Sequence, residues 1–278
     1  MYCVKLTLCP TAAMTFRILP GSILNITTYP FVPPTSWSGF LRRLGMMSHG
    51  LGIPETKINK DNPSTYLLPY RYVALGAYPT RSTWHGVHRT HPKGMRDFNH
   101  NDFFKLYLDG DRANFQLHTW EYLIAEELVG YVASESAQGL EHIREMEAYG
   151  CYIGKEGYAV VTKVSDVIEL ERQTVTAYPS TIAPMDALLQ SNQLVAGCNI
   201  YNLYRYNWLT EAHHQTDQDG LLGEEPTPVN GFVPFVAAYF PREMDNPPTL
   251  DYYTDNEQIF IPVSLIHLLR GESYAQSL

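Results

Sequence analysis

The chain has 278 residues, of which 45% are hydrophobic, 13% aromatic and 18% charged, and its formal net charge is −9. About 25% charged residues is usual; the apolar share excludes a disordered chain, and the length suits one large domain or two small ones. No window approaches the ~18 uninterrupted apolar residues of a membrane-spanning helix. Residues 1–16 lack a basic start followed by an apolar block, so neither a signal peptide nor a membrane partner is expected. Cys3, Cys9, Cys151 and Cys198 form no Cys-x-x-Cys pair, which argues against a zinc ribbon or a disulfide scaffold. A cytoplasmic protein without cofactor or metal is expected.

Residues 2–8 alternate Tyr2, Val4, Leu6 and Leu8 with Cys3, Lys5 and Thr7, which predicts an opening strand. Phe16–Ile18 and Ile23–Thr28 read as short extended pieces around a Pro20-Gly21 turn. Prolines at 30, 33 and 34 then hold the chain extended. Thr35 or Ser36 is expected to cap a helix carrying Trp37, Phe40, Leu41 and Leu44 at helical spacing, with Gly45 or Gly50 ending it. Thr65–Tyr78 is strand material. Residues 79–101 change character, with few aliphatic residues but Arg81, Arg89, Lys93, Arg96 and four histidines, and read as a long basic excursion.

Phe103–Leu108 and Phe115–Leu123 resume a strand-like pattern. Residues 133–148 predict a surface helix, and Tyr158–Leu170 and Ile200–Trp208 further strands. An acidic loop follows at 210–228, then strands at Phe232–Tyr239 and Gln258–Val263 and a terminal helix at Ser264–Arg270. Strands outnumber helices, which fall between groups of strands, so the fold class is α+β with a mostly antiparallel sheet. Neither G-x-G-x-x-G nor G-x-x-x-x-G-K-[ST] occurs, which removes the usual nucleotide-binding loops.

The charge is unevenly divided. Residues 1–112 carry 13 Lys and Arg against 6 Asp and Glu, whereas residues 113–278 carry 7 against 23. A basic half can hold a polyanion while an acidic half faces away; the plainer alternative is that the two neutralise each other inside the fold. A helix opening at residue 35 or 36 would set hydroxyls and unpaired N–H groups beside Trp37, Arg42 and Arg43, a combination suited to phosphate or simply an ordinary capped helix. The 79–101 excursion mixes cations with Trp84 and Phe98, the pairing that stacks unpaired bases and grips their backbone.

No catalytic or metal set emerges. His85, His88 and His91 lie in extended chain that does not converge three rings on one ion, and His213-His214 with Asp217 and Asp219 sits in an acidic loop. Cys151 lacks a nucleophile signature, and Glu126-Glu127 and Glu224-Glu225 are adjacent rather than on one face.

The segment Thr28-Tyr-Pro-Phe-Val-Pro-Pro-Thr-Ser-Trp-Ser-Gly-Phe-Leu-Arg-Arg-Leu-Gly45 resembles the Cas-five family, in the RAMP superfamily, of type I CRISPR surveillance (Cascade) complexes. Those proteins follow an N-terminal strand with a tyrosine-proline, proline-x-threonine/serine, glycine-leucine-leucine run opening their first helix. Tyr152-Ile-Gly-Lys-Glu-Gly-Tyr-Ala-Val-Val161 is similar to the glycine-lysine turn of the type I-D branch. Together the two motifs cover about a tenth of the chain.

The resemblance implies a single ferredoxin-like, RNA-recognition-type domain over 1–278, an antiparallel sheet with helices on one face and a thumb-like insertion at 79–101. It also implies a non-catalytic subunit that binds the 5′ handle of the CRISPR RNA at the foot of the complex. Backbone subunits and a large subunit would be its partners, and target DNA would be met only indirectly. Carried over to this chain, Tyr29, Thr35, Ser36, Trp37, Arg42 and Arg43 fall near the handle. Arg81, Trp84, His85, His88, Arg89, Lys93 and Arg96 fall in the thumb, and Lys155 in the glycine turn. The acidic second half departs from the pattern and is expected to face a neighbouring subunit. An endoribonuclease that processes precursor RNA, using His85, His88, His91 and Lys93, is the enzyme alternative. A protein–protein adaptor without RNA contact is the third.

Overall fold

Alternation at the amino end builds the central strand. In β1 (Tyr2–Pro10), Leu6 and Leu8 are fully buried while Lys5 and Thr7 take the opposite face. The computed structural model describes residues 1–19, 21, 25–50, 71–81, 83–90, 118–193, 198–208, 229–240 and 246–272. The expectations for Lys93, Arg96, His91, Phe98, Phe103–Leu108 and the 210–228 loop lie outside the described residues.

After β1 the elements are β2 (Asn25–Ile26), α1 (Pro34–Ser48), β3 (Val73–Pro79), β4 (Trp84–Thr90), β5 (His118–Ile124) and β6 (Leu128–Ser134). Then come α2 (Ala137–Glu141), continued by a 3-10 turn over His142–Met146, and β7 (Gly150–Ile153), β8 (Gly157–Val164) and β9 (Ile168–Glu169). The main sheet is antiparallel in the order β3-β6-β1-β8-β7, with β9 also paired to β1. Taking β1, α1, β3, β6, α2 and β8 alone gives a β-α-β-β-α-β run with β1 and β6 central, the ferredoxin-like arrangement. The α+β antiparallel class expected from the sequence is therefore what forms. β4 and β5 are an insertion between the second and third strands of that unit.

Trp37 fixes α1 on the sheet. It is 0% exposed, stacks on Phe40 with ring centres 5.4 Å apart, and donates its Nε1–H to the Tyr131 carbonyl at 3.0 Å. A Cβ at Gly130 would run into the indole, so glycine on β6 is what lets the helix approach.

The second half adds β10 (Glu171–Thr176), β11 (Ala183–Pro184), α3 (Met185–Gln190), β12 (Asn199–Trp208), β13 (Val229–Tyr239), β14 (Thr249–Thr254), β15 (Phe260–Pro262) and α4 (Val263–Arg270). These strands form two three-stranded antiparallel sheets, β10-β14-β15 and β11-β13-β12. The halves share one apolar cluster: the Phe31 ring lies 5.6 Å from Tyr201 and 5.2 Å from Tyr239, and Leu203, Ile259 and Leu265 join the same core. No helix among the described residues is long and apolar enough to cross a membrane.

Three local expectations change. α1 begins at Pro34 with Pro33 as its cap residue, so Thr35 and Ser36 lie inside the first turn and cap nothing; proline's fixed φ pre-sets that start. Gly45 is within the helix, and Gly50, at φ +65°, follows its end. The helix expected over 133–148 shortens to α2 and its 3-10 turn, because Leu128–Ser134 is taken by the sheet.

Candidate nucleic-acid interface

The basic excursion is not one irregular loop. Its residues 84–90 are strand β4, paired antiparallel with β5 from Trp84 opposite Ile124 to Thr90 opposite His118. The alternating pleat sets Trp84 and Gly86 on one face with Trp120, Tyr122 and Ile124, and His85 and Val87 on the other with Glu121 and Leu123. On the first face Trp84 is 52% exposed and Gly86 carries no side chain, so the ring of Tyr122 is not covered from the partner strand. On the second face Leu123 is fully buried and holds the base of the ribbon in the core.

Two of three neighbouring backbone bridges, at Leu123 and at residues 119–120, fix that base, and the third ties Thr15 beside it to Lys155. Met14 and Leu123 exchange N–H···O bonds of 3.0 and 2.7 Å, Thr15 and Lys155 exchange bonds of 3.3 and 3.0 Å, and β2 pairs in parallel with residues 119–120. Glu121 reinforces them, since its Oε2 accepts from the Thr28 N–H at 3.0 Å and its carbonyl from the Thr15 hydroxyl at 2.9 Å.

The Gly154-Lys155 turn between β7 and β8 docks against this base. Gly154 has φ +63°, and a Cβ there would meet the Thr15 carbonyl and the Phe16 ring within 2.8 Å, so the turn requires glycine. With its backbone held on Thr15, Lys155 extends across β5, and its Nζ lies 3.3 Å from the centre of the Trp120 ring. Tyr122 donates its hydroxyl to Glu156 Oε2 at 3.1 Å; burial and then the Glu156 carboxylate raise its pKa. The outcome is a row of Trp84, Tyr122 and Trp120, open at Trp84 and covered at Trp120 by the Lys155 ammonium. Rings for stacking beside a charge for phosphate are what unpaired nucleic acid requires.

A second surface of mixed charge, with Asp166 and Glu257 beside its cations, lies on the face of the main sheet that carries Lys5. Lys5 and Thr7 of β1, Tyr131 of β6 and Lys163 of β8 line a groove of about 1320 Å³ with Arg144 and Phe260. Arg144 is already engaged by Asp166 at 3.1 Å. Lys5 and Lys163 were not singled out from the sequence, although the period-two pattern of β1 puts Lys5 opposite the buried Leu6.

The residues near α1 do not join either surface as expected. Tyr29 is buried and donates its hydroxyl to the Asn202 carbonyl, tying the two halves; Trp37 is core; Arg42 is 7% exposed, and burial lowers its pKa. The start of α1 is covered rather than free. Tyr206 donates its hydroxyl to the Thr35 carbonyl at 3.2 Å, and the cavity left beside Thr35 and Ser38 is about 30 Å³, room for roughly two water molecules. Ser36 is half-buried in the same first turn. Tyr29, Trp37 and the start of α1 therefore form a packed junction between the two halves, not part of the ribbon surface.

Arg43 is half-buried, with its guanidinium 5.8 Å from the centre of the 65%-exposed Tyr152 ring. Arg81 is exposed and pairs with Glu126 at 3.5 Å, and His85 Nδ1 lies 3.3 Å from Glu121 Oε1, away from the row of rings. His88 and Arg89 are strand residues opposite Trp120 and Thr119. The structure therefore brings together Trp84 and Lys155 of the expected set, adds Trp120 and Tyr122, and leaves Arg43 as a separate patch.

No protein-family model matches this chain, and no curated protein matches it. Among solved structures it is similar to a chain of the type III-B Cmr-beta complex bound to cognate target RNA, at 10% identity over 84% of this chain and 86% of that one, with a TM-score of 0.28. At that TM-score the likeness carries no functional weight.

Proposed function

We propose that the chain is a non-catalytic RNA-binding subunit of a CRISPR effector complex of the type I surveillance kind, gripping the 5′ handle of the guide RNA. The observation that carries the reading is the inserted ribbon, whose open face lines Trp84, Tyr122 and Trp120 up with Lys155. It occupies the place in the chain where the resemblance puts a thumb, and the glycine-lysine turn of the second motif supplies its cation. In this reading a splayed base stacks on Trp84, Lys155 holds a phosphate, and Lys5 and Lys163 track the backbone over the sheet. Backbone subunits and a large subunit are its protein partners, and guide pairing reads the DNA.

The test is RNA binding at two salt concentrations. Trp84→Ala weakens binding to a handle RNA by about 5- to 150-fold with an unchanged salt slope, as expected for a lost stack of ~1–3 kcal/mol. Lys155→Gln weakens it and lowers the slope by about one unit. Parent-like affinity in both variants would sink the assignment. Cleavage of precursor RNA at the handle boundary by the parent would replace it with the nuclease reading.

A further inference from the structure

The carboxyl end of α1 and the 3-10 turn after α2 bring together His49, His142 and Glu145, away from the ribbon. One ligand atom from each lies within 4.8 Å of the others. His49 Nε2 is 3.2 Å from Glu145 Oε2, and the two imidazole centres are 6.4 Å apart. His142 and Glu145 share one side of the turn because a 3-10 helix superposes residues three apart.

The tautomer of His49 follows from its second nitrogen. Nδ1 lies 3.0 Å from the Gly45 carbonyl, which can only accept, and 3.2 Å from the Ser48 hydroxyl, which can accept or donate; the tautomer that satisfies the carbonyl puts the proton on Nδ1 and turns an Nε2 lone pair toward the Glu145 carboxylate. A lone pair and a carboxylate at that separation repel unless a cation or a second proton stands between them. An Nδ1–H held by a backbone carbonyl, with Nε2 left bare, is how metal-binding histidines are oriented. The 3.2 Å gap also approaches the edge of a tetrahedron built on zinc bonds, about 3.3 Å. His49 caps α1 at its carbonyl end, where the helix dipole favours positive charge.

We propose that His49, His142 and Glu145 bind one divalent transition-metal ion of the zinc class, with water completing its coordination. Two imidazole nitrogens and one carboxylate suit such an ion and not magnesium or calcium, which take oxygen ligands. The ion clamps the end of α1 to the turn at 142–146, joining the two crossover segments of the ferredoxin-like unit. The sequence shows no complete spacing motif for it, because His49 comes from one crossover and His142 and Glu145 from the other, and only the fold unites the three.

The test uses the full chain, free of any affinity tag and stripped with chelator, titrated with Zn²⁺ by calorimetry and with Co²⁺ by visible absorption. One ion binds per chain, Tm rises with Zn²⁺ and falls back with chelator. Glu145→Gln and His142→Gln each lower affinity at least tenfold while circular dichroism shows the fold intact. His267→Gln, on the surface beside Glu272, leaves uptake unchanged. No stoichiometric uptake, or uptake unaltered in both site variants, overturns the proposal and leaves His49 and Glu145 as a proton-bridged pair.

Discussion

The Lys155 ammonium rests 3.3 Å from the centre of the Trp120 ring, so a turn of the main sheet and a strand of the insertion are joined by a cation over an aromatic face. That contact is exposed, and contacts of its kind contribute about 0.5–1 kcal/mol. Lys155→Gln and Trp120→Leu should each lower stability in urea, and the double variant should lose less than their sum. A strictly additive double-mutant cycle would show that the contact contributes nothing.

Gly130 and Trp37 make a sharper test of packing. Gly130→Ala forces the indole aside and is expected to cost about 1–3 kcal/mol. Trp37→Phe should relieve part of that cost in the double variant, measured by chemical denaturation. An alanine tolerated without loss would mean that α1 does not sit on β6 as described.

Asp255 gives the fold a pH dependence. Its Oδ1 accepts the N–H groups of Glu257, Gln258 and Ile259 at 3.0, 2.9 and 2.8 Å. Burial raises its pKa, but the three donors outweigh that and lower it overall. A lowered carboxyl pKa contributes stability that is present above the unfolded value, near 3.9, and is lost as pH falls through the folded one. Asp255→Asn should be less stable at neutral pH and less sensitive to acidification below pH ~5. Parallel stability curves for the two proteins would refute this role.

The cysteines should separate by burial. Cys3 and Cys151 are enclosed, and burial pushes both thiols up to about 12, against a smaller lowering effect of Arg43 on Cys151; Cys9 is exposed. Maleimide at pH 7.5 should label Cys9 in the native protein and reach Cys3 and Cys151 only in denaturant. The raised values also mean that this contribution to stability is complete below the unfolded pKa, near 9, and fades as pH climbs toward 12. Rapid native labelling of Cys151 would contradict the packing around it.

What the sequence made legible follows from where the controlling contacts lie. β1 and α1 were readable because their apolar residues repeat every two and every three to four positions, and burial follows that repeat. β4 was not, since Trp84–Thr90 has no aliphatic alternation and is held by pairing with β5. β10 also went unread: apart from Val175 its residues are polar, and pairing with β14 beside it makes it a strand. In the candidate site, Trp84 and Lys155 were visible as residue types. Their placement on one surface depends on the Thr15 bridge, which no local pattern encodes. Trp37 and Tyr29 misled for the same reason: an aromatic ring beside arginines looks alike in sequence whether it faces solvent or the core.

The bonds at the foot of the ribbon bear on how it would meet a partner. An arm hinged on a single strand must give up conformational freedom when it docks, and that loss subtracts from affinity. Here strand β5 is pinned at residues 14, 15 and 25–26 before any encounter, so holding that strand in place costs little when contact is made.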